Sequence, residues 1–291
     1  MRITVIGESN IDVSVMPQGD TRQGGCTPAH ISFHHGGVAR NIAHNLKQLG
    51  HEVRLMTVFG GDAFAERLIS DCKSIGLDLS LSTVFEQEKS PVFLSFNDAS
   101  GNMQSALSDI KLNDRMDLDW VKGQMDGINS SDIVMADTLL SVDAIAWLID
   151  HCTSPLYIDA VSPKRALRIA EALQKSEKKG FFALKCNLAE AQSLTGLTEP
   201  FEASKSLNNN GIKAIYLTLG EKGAIFSSAS ESQHFPALPA QTVNATGSGD
   251  AFFAGVIHGN AIGLSGKETV AFGLEMAKTA LEVEGPVAQR H

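Results

Sequence analysis

Residues 244–252 read NATGSGDAF, a threonine, two glycines and an aspartate set against the start of a long apolar run. The run Ala251-Phe252-Phe253-Ala254-Gly255-Val256-Ile257 is apolar on nearly every side, as expected of a helix buried all round. Gly247 and Gly249 leave backbone N–H groups uncovered at its mouth, where the helix dipole adds positive potential, so the segment can cradle an anion. An acid in that place repels an anion unless it has a role of its own. Asp250 as general base gives it one: it would accept the proton of a hydroxyl attacking a phosphoryl group held by the cradle. A simple helix cap uses the same letters.

Working outward, short apolar runs are each followed by a helical pattern. ITVIG precedes VARNIAHNLKQLG, whose Ala39, Ile42, Ala43, Leu46 and Leu49 share one face and whose Gly50 is a stop. VRLMTVFG precedes DAFAERLISDCKSIG, DIVMADT precedes SVDAIAWLIDHC, and LYIDAVS precedes RALRIAEALQ. FFALKCN then precedes LAEAQSLTG, and AIYLTLG precedes the C-terminal helices. Continuous rather than alternating apolar strands, separated by helices, predict a parallel sheet covered on both faces.

Two stretches break this rhythm. Residues 11–35 hold IDVSVMP and HISFHH around a Gly-rich connection, and residues 91–107 read PVFLSF, NDASGN and MQSAL, a hairpin signal. Their alternation predicts a separate small sheet, a β lid made by excursions of the chain rather than by a contiguous second domain.

Composition limits the function classes. The 43% hydrophobic content supports a substantial core, and 33 acidic against 24 basic residues give a formal charge of −9. No Lys/Arg run is long enough to track a phosphate backbone, so nucleic acid is not an expected partner. Cys26, Cys72, Cys152 and Cys186 are far apart with no metal spacing, which reads as reduced thiols in cytoplasm. No segment approaches the roughly 18 apolar residues of a membrane span.

In open parallel sheets, ligands bind beyond the carboxyl ends of the strands. Several motifs fall there. Asn10 and Asp12 alternate as same-face residues entering the lid, and an amide with a carboxylate suits vicinal sugar hydroxyls; a turn-forming pair is the other reading. Gly36-Gly37 before a helix permits close approach of a ligand, with Asn41 a polar group one turn in. The neighbours His34 and His35 point to opposite strand faces and do not form a metal pair. Asn187 ends a strand and Glu190 lies one turn into the next helix; the carboxylate can hold Mg²⁺ through water, or the two can be an N-cap with a first-turn Glu. Thr218, Gly220 and Gly223 lie in a hairpin that can contact phosphates, or form an ordinary turn. Residues 60–64, GGDAF, repeat part of the opening stretch without Thr-Gly-Ser, so Asp62 is expected to be a helix cap.

Taken in order, Asn10-x-Asp12, Gly36-Gly37 with Asn41, Asn187-x-x-Glu190, Thr218-x-Gly220 and Thr246-Gly247-Ser248-Gly249-Asp250 resemble the ribokinase, or PfkB-type, family of carbohydrate and nucleoside kinases. The resemblance covers essentially the whole chain. It implies a ribokinase-like three-layer α/β sandwich with a central, mostly parallel sheet and a small β lid, as one kinase domain over residues 1–291. It also implies a phosphotransferase that uses ATP and Mg²⁺ on an alcohol group. Asp250 would be the base and the backbone of Gly247, Ser248 and Gly249 the anion hole. Asn187 and Glu190 would organise Mg·ATP, with Glu190 toward the metal. Thr218, Gly220, Gly223 and Thr246 would lie on the nucleotide side, and Asn10, Asp12, Gly36, Gly37 and Asn41 would hold the ribose.

Within the family, GGVARNIAHNLKQLG, MADTLLSVDAIAWLID, DAVSPKR and VNATGSGDA are most similar to the branch that phosphorylates pseudouridine; ribokinases usually carry Gly-Gly-Lys-Gly-Ala-Asn in the second motif. The branch implies transfer to the 5′-hydroxyl of pseudouridine, with Asp109, Asp137 and Lys164 on the substrate-facing wall by similarity of their surroundings. Another sugar or nucleoside kinase, of ribokinase or inosine/cytidine type, shares the ribose contacts. A non-catalytic nucleoside-binding protein would have no use for Asp250 as a base. Many relatives carry Asp where this chain has Asn244, an acid that helps bind a monovalent cation, so activation by such an ion does not follow from the resemblance. A homodimer through the lid is expected from the family's habit.

Overall fold

The computed structural model describes residues 1–21, 24–98, 103–243, 246–283 and 287. Strand β1 (Arg2–Ile6) is followed without a helix by β2 (Asn10–Pro17) and β3 (Ala29–Gly36), and α1 (Val38–Gln48) then returns the chain to β4 (Glu52–Met56). The short β5 (Val58–Gly60) leads to α2 (Ala63–Ser74), β6 (Thr83–Phe85), β7 (Val92–Asn97) and β8 (Met103–Asp109). Two short helices, α3 (Leu118–Lys122) and α4 (Met125–Asn129), precede a regular alternation. It runs β9 (Ile133–Asp137), α5 (Val142–His151), β10 (Leu156–Asp159), α6 (Pro163–Lys175), β11 (Ala183–Asn187), α7 (Leu188–Thr195), α8 (Pro200–Asn209) and β12 (Ala214–Thr218). The chain ends in β13 (Ala224–Ser228), β14 (Ser232–Phe235), α9 (Ser248–Ala261) and α10 (Gly266–Leu281).

The large sheet has eight strands in the order β14-β13-β12-β11-β10-β9-β1-β4. From β12 to β4 every neighbour is parallel. Successive residues of each strand enter opposite cores: Val134, Ala136 and Ile158 pack with α5, α6 and α8, whereas Met135 and Tyr157 pack with α1, α9 and α10. Both faces are therefore buried, which is why these strands read as unbroken apolar runs.

Two expectations need correction. The segment AIYLTLG does not lead straight to the C-terminal helices; the turn Gly220–Lys222 sends the chain back as β13, antiparallel to β12. A connection that short cannot cross over to a parallel neighbour. The run VRLMTVFG is two strands rather than one, because the buried Thr57 gives its N–H to Ser82 Oγ at 3.2 Å and the chain leaves the large sheet to pair β5 with β6.

The small sheet has the order β3-β2-β7-β8. Its register puts Asp12 beside His34 and Phe93, and Val13 beside Phe33 and Leu94. One face is thus largely polar and carries Asn10 and Asp12. The other is apolar, and near the large sheet it packs on Phe59, Ala65 and Leu68. This is the expected lid.

Candidate active site

Three elements converge beyond the carboxyl ends of the parallel strands. Helix α9 opens at Gly247, whose φ of 81° lies in the left-handed region and which supplies no side-chain cap. With glycine at the N-cap no side chain from that residue covers the helix mouth, the arrangement that favours an anion. Asp250 is in the first turn rather than at the cap, and is buried. Its Oδ2 accepts from Asn41 Nδ2 on α1 at 2.9 Å. The local geometry therefore departs from the helix-cap reading. Burial is the main reason the Asp250 carboxyl is pushed up to about 7; Lys185 and the Asn41 bond hold it down, while Asp159 and Asp12 push it further up.

Beneath the cradle lies a cation. Lys185, near the end of β11, forms an ion pair with Asp159 of β10, Nζ to Oδ2 3.1 Å. A Cβ at Gly249 would stand 3.2 Å from that Nζ. Lys185 is held well above the usual lysine range because its acidic neighbours, Asp159 first, outweigh desolvation, so it is charged at neutral pH.

On the lid side, Asn10 Nδ2 donates to Asp12 Oδ1 at 2.7 Å, and Asn10 Oδ1 is buried with no partner. A Cβ at Gly36 would come within 2.2 Å of Asp12 Oδ2; only glycine leaves this pair its space. Burial raises the Asp12 carboxyl above its ordinary value, against the Asn10 bond and the nearby His34 and Arg40. On the other side of the cradle, a cavity of about 560 Å³ is lined by Thr218, Gly220, Gly223, Leu238, Pro239, Ser248, Gly249 and Phe252, among others.

Over residues 1–290 the chain matches the pfkB family carbohydrate kinase. It belongs to the PfkB family of carbohydrate kinases. It is similar to the pseudouridine kinase of Escherichia coli (strain K12), 26% identical over 97% of this chain and 91% of that protein. Guanosine-inosine kinase of Exiguobacterium acetylicum is also 26% identical, over 95% and 93%. Among solved structures, a carbohydrate kinase from Agrobacterium tumefaciens superimposes with a TM-score of 0.85 at 26% identity, covering 99% of this chain and 92% of the other. Ribokinase of Arabidopsis thaliana, solved with ribose and ATP, shares the fold with a TM-score of 0.81 at 21% identity, covering 97% and 93%.

Kinases of the PfkB family transfer a phosphoryl group to an alcohol, and the structure gathers most of the residues expected for such work. Asn41 bonds Asp250, and Asp250 and Gly249 lie beside Lys185. Asn10, Asp12 and Gly36 form one cluster at the lid, with Gly37 as the N-cap of α1. Thr218, Gly220 and Gly223 share a cavity wall with Ser248, and Thr246 precedes the cradle in sequence. Asn187 and Glu190 form a capping box: Asn187 Oδ1 accepts from Glu190 N at 2.9 Å, and Glu190 accepts from Asn187 N and Nδ2, each at 2.8 Å. Asn244, where many relatives carry Asp, lies outside the described residues. Asp62 caps α2 as expected, accepting from Ala65 N at 3.0 Å.

The three expected wall residues differ in their settings. Asp137 is fully buried, its oxygens taken by Glu8 N at 2.8 Å and Leu139 N at 2.9 Å, and burial pushes it up to about 8. Asp109 pairs with Val92, which pairs with Ile11, so the register puts it on the lid face opposite Asp12. Lys164 is exposed, and it is the neighbouring Arg165 whose charge is felt by Glu8.

Glu8 itself was missed. Its Oε1 accepts from Asn113 Nδ2 at 2.6 Å, and burial, with Asp12 nearby, pushes it up to about 7. The signal was slight: Glu8 precedes β2, the strand that carries Asn10 and Asp12, in the connection between β1 and β2. Lys185 and Asp159 were also missed; a charge inside an otherwise apolar strand is costly unless paired, which is a sign of a site.

Proposed function

We propose that this PfkB kinase transfers the γ-phosphoryl group of ATP to the 5′-hydroxyl of a nucleoside, with pseudouridine as the preferred acceptor. The observation that carries the reading is the buried Asp250, held by Asn41 and set beside an uncapped helix mouth over Lys185. A base poised near neutral pH is suited to proton abstraction. Asn10 and Asp12 hold the sugar, and Asn10 Oδ1 accepts from one of its hydroxyls. As the 5′-oxygen bonds to phosphorus and the bond to the ADP oxygen breaks, Asp250 takes the hydroxyl proton. The N–H groups of Gly247, Ser248 and Gly249, with Lys185, face the negative charge that develops; losing one such donor in comparable sites costs roughly 3–4 kcal/mol.

ATP fits the cavity between β12 and α10, whose walls are apolar at Leu238, Pro239, Ala240 and Phe252 with Thr218 at the cradle end. Bound with Mg²⁺, it supplies the phosphoryl group and partial neutralisation of its charge. The ion would be brought by the nucleotide and keep most of its water, with Glu190 reached through water.

A nucleoside is favoured over a bare sugar by Phe93, which stands beside Asp12 in the register of the lid's polar face and offers an aromatic surface to a base. Pseudouridine is favoured by the E. coli relative and by the branch-like motifs. The whole chain acts as one kinase domain whose lid covers the acceptor and excludes water. The distal apolar face of the lid exposes Ile31, Phe33, Phe96 and Leu107, a patch suited to a second copy of the chain, and we place the homodimer there. The cytoplasm fits the free thiols, three of the four buried.

ATP-dependent phosphorylation of pseudouridine, uridine, cytidine, inosine, guanosine, ribose and fructose, measured in parallel, tests the assignment. Pseudouridine is expected to give the highest kcat/KM. Preference for inosine or guanosine, the substrates that name the Exiguobacterium relative, would keep the mechanism and replace the substrate. No turnover with any of them would leave a nucleoside-binding protein.

A further inference from the structure

Asn41 bonds Asp250 through one end of its amide; what fixes the other end decides which way the amide faces. Asn41 Oδ1 accepts from Arg40 Nη1 at 3.2 Å. A guanidinium has donors and no acceptor, so turning the amide over would set two donors against each other. Arg40 is buried and is itself held in place. Its Nη2 donates to Asp71 Oδ2 on α2 at 2.6 Å, and its Nη1 also donates to the carbonyl of His35 at the end of lid strand β3, at 3.0 Å. His35 Nδ1 lies 3.1 Å from the other Asp71 oxygen. The chain Asp71, Arg40, Asn41, Asp250 therefore runs from α2 through α1 into the mouth of α9.

We infer that Arg40, anchored by Asp71, is a positioning residue for phosphoryl transfer: it fixes the Asn41 amide so that Asp250 always meets an N–H donor and never a carbonyl. This rests on the reading of Asp250 as the base. An N–H donor favours the ionised carboxylate, the form able to take a proton. A turned amide would present its oxygen, which a protonated Asp250 satisfies, and so would stabilise the idle form.

The other groups facing Asp250 are Lys185 on β11, Asp159 on β10 and Asp12 on β2, and none of them can orient the amide. Around Arg40 stand Asp12, Asp71, His35, His44 and Cys72. Burial and then Arg40 hold His44 down at about 4, so at neutral pH it adds no charge. Burial, the largest influence, holds the Cys72 thiol up at about 11, with the same consequence.

The experiment is the pH dependence of kcat and kcat/KM, between pH 5.5 and 9.5, for the full chain and for Arg40→Met, Arg40→Lys and Asp71→Asn, with circular dichroism and thermal midpoints as checks of folding. In Arg40→Met the acid limb should move up by about one pH unit, about tenfold in rate below pH 6.5, with the loss vanishing near pH 9 and KM little changed. Arg40→Lys restores a donor and should recover part of the shift; Asp71→Asn, which loosens the anchor, should show a smaller one. A merely structural loss would lower activity equally at every pH. A folded Arg40→Met with an unmoved limb overturns the inference, and should that variant fail to fold, an unmoved limb in folded Asp71→Asn does the same. Asp250→Asn separates the two readings: normal turnover there defeats the base itself, whereas an inactive Asp250→Asn with an unmoved Arg40→Met limb defeats only the positioning.

Discussion

Lys185 and Asp159 form an ion pair at 3.1 Å between neighbouring parallel strands, buried under Gly249 in the first turn of α9. The pair brings a fixed positive charge to the place where the proposed phosphoryl group gains negative charge. Buried pairs are costly to break, because the surviving partner is left as an uncompensated charge. Lys185→Met is therefore expected to destabilise the fold by about 3–5 kcal/mol, read from urea midpoints. It should also raise the Asp250 carboxyl, which Lys185 holds down, and so move the acid limb of activity upward. Unchanged stability would mean that the pair is not formed in solution.

Stability should fall as pH rises from about 6.5 to 8. Glu8, Asp137 and Asp250 are raised to about 7, 8 and 7 in the fold, so between about 4 and 8 the folded chain holds more protons than the unfolded one, and stability drops with pH. The half-buried His44 and the buried His51, both lowered to about 4, work the other way, but only up to about 6.5. Above that value the acids act alone. Thermal midpoints of the ligand-free protein at pH 6.5 and pH 8 check the sign, and a higher midpoint at pH 8 would show that these carboxyls are ionised when folded.

Gly36→Ala should separate the two substrates. Its Cβ would fall 2.2 Å from Asp12 Oδ2 and 2.8 Å from Asn10 Oδ1, displacing the pair that holds the sugar. The acceptor KM is expected to rise by at least tenfold while the ATP KM stays within twofold, which initial-rate kinetics with each substrate varied will show. Equal effects on both would place Gly36 away from the acceptor.

The lid patch predicts association. Leu107 is 64% exposed and Ile31 53% exposed on the apolar face. Leu107→Lys should turn a dimer into a monomer in sedimentation equilibrium, and a wild-type chain that is monomeric at micromolar concentration would remove the homodimer.

Much of this site was legible from spacing. Asn10 and Asp12 show their shared face through strand alternation, and the cradle shows itself because glycines beside an apolar helix need a reason. What stayed hidden depends on partners distant in sequence. Nothing local pairs Lys185 with Asp159, or Asn41 with Asp250 across 209 positions. The facing of Asp109 could not be read locally, because it is set by register with Val92 and Ile11, and a one-residue difference in register turns a side chain to the other face. Asp137 looks like a strand-end ligand until the backbone N–H groups of Glu8 and Leu139 are seen to use it.

The central claim is that Asp250 takes the acceptor's proton. The most direct measurement is ATP-dependent turnover of the preferred acceptor by the wild type and by Asp250→Asn, which keeps the shape and removes the basic carboxylate. A kcat lower by roughly 10²–10⁴-fold with KM values nearly unchanged is predicted. Turnover within a few-fold of wild type would contradict it.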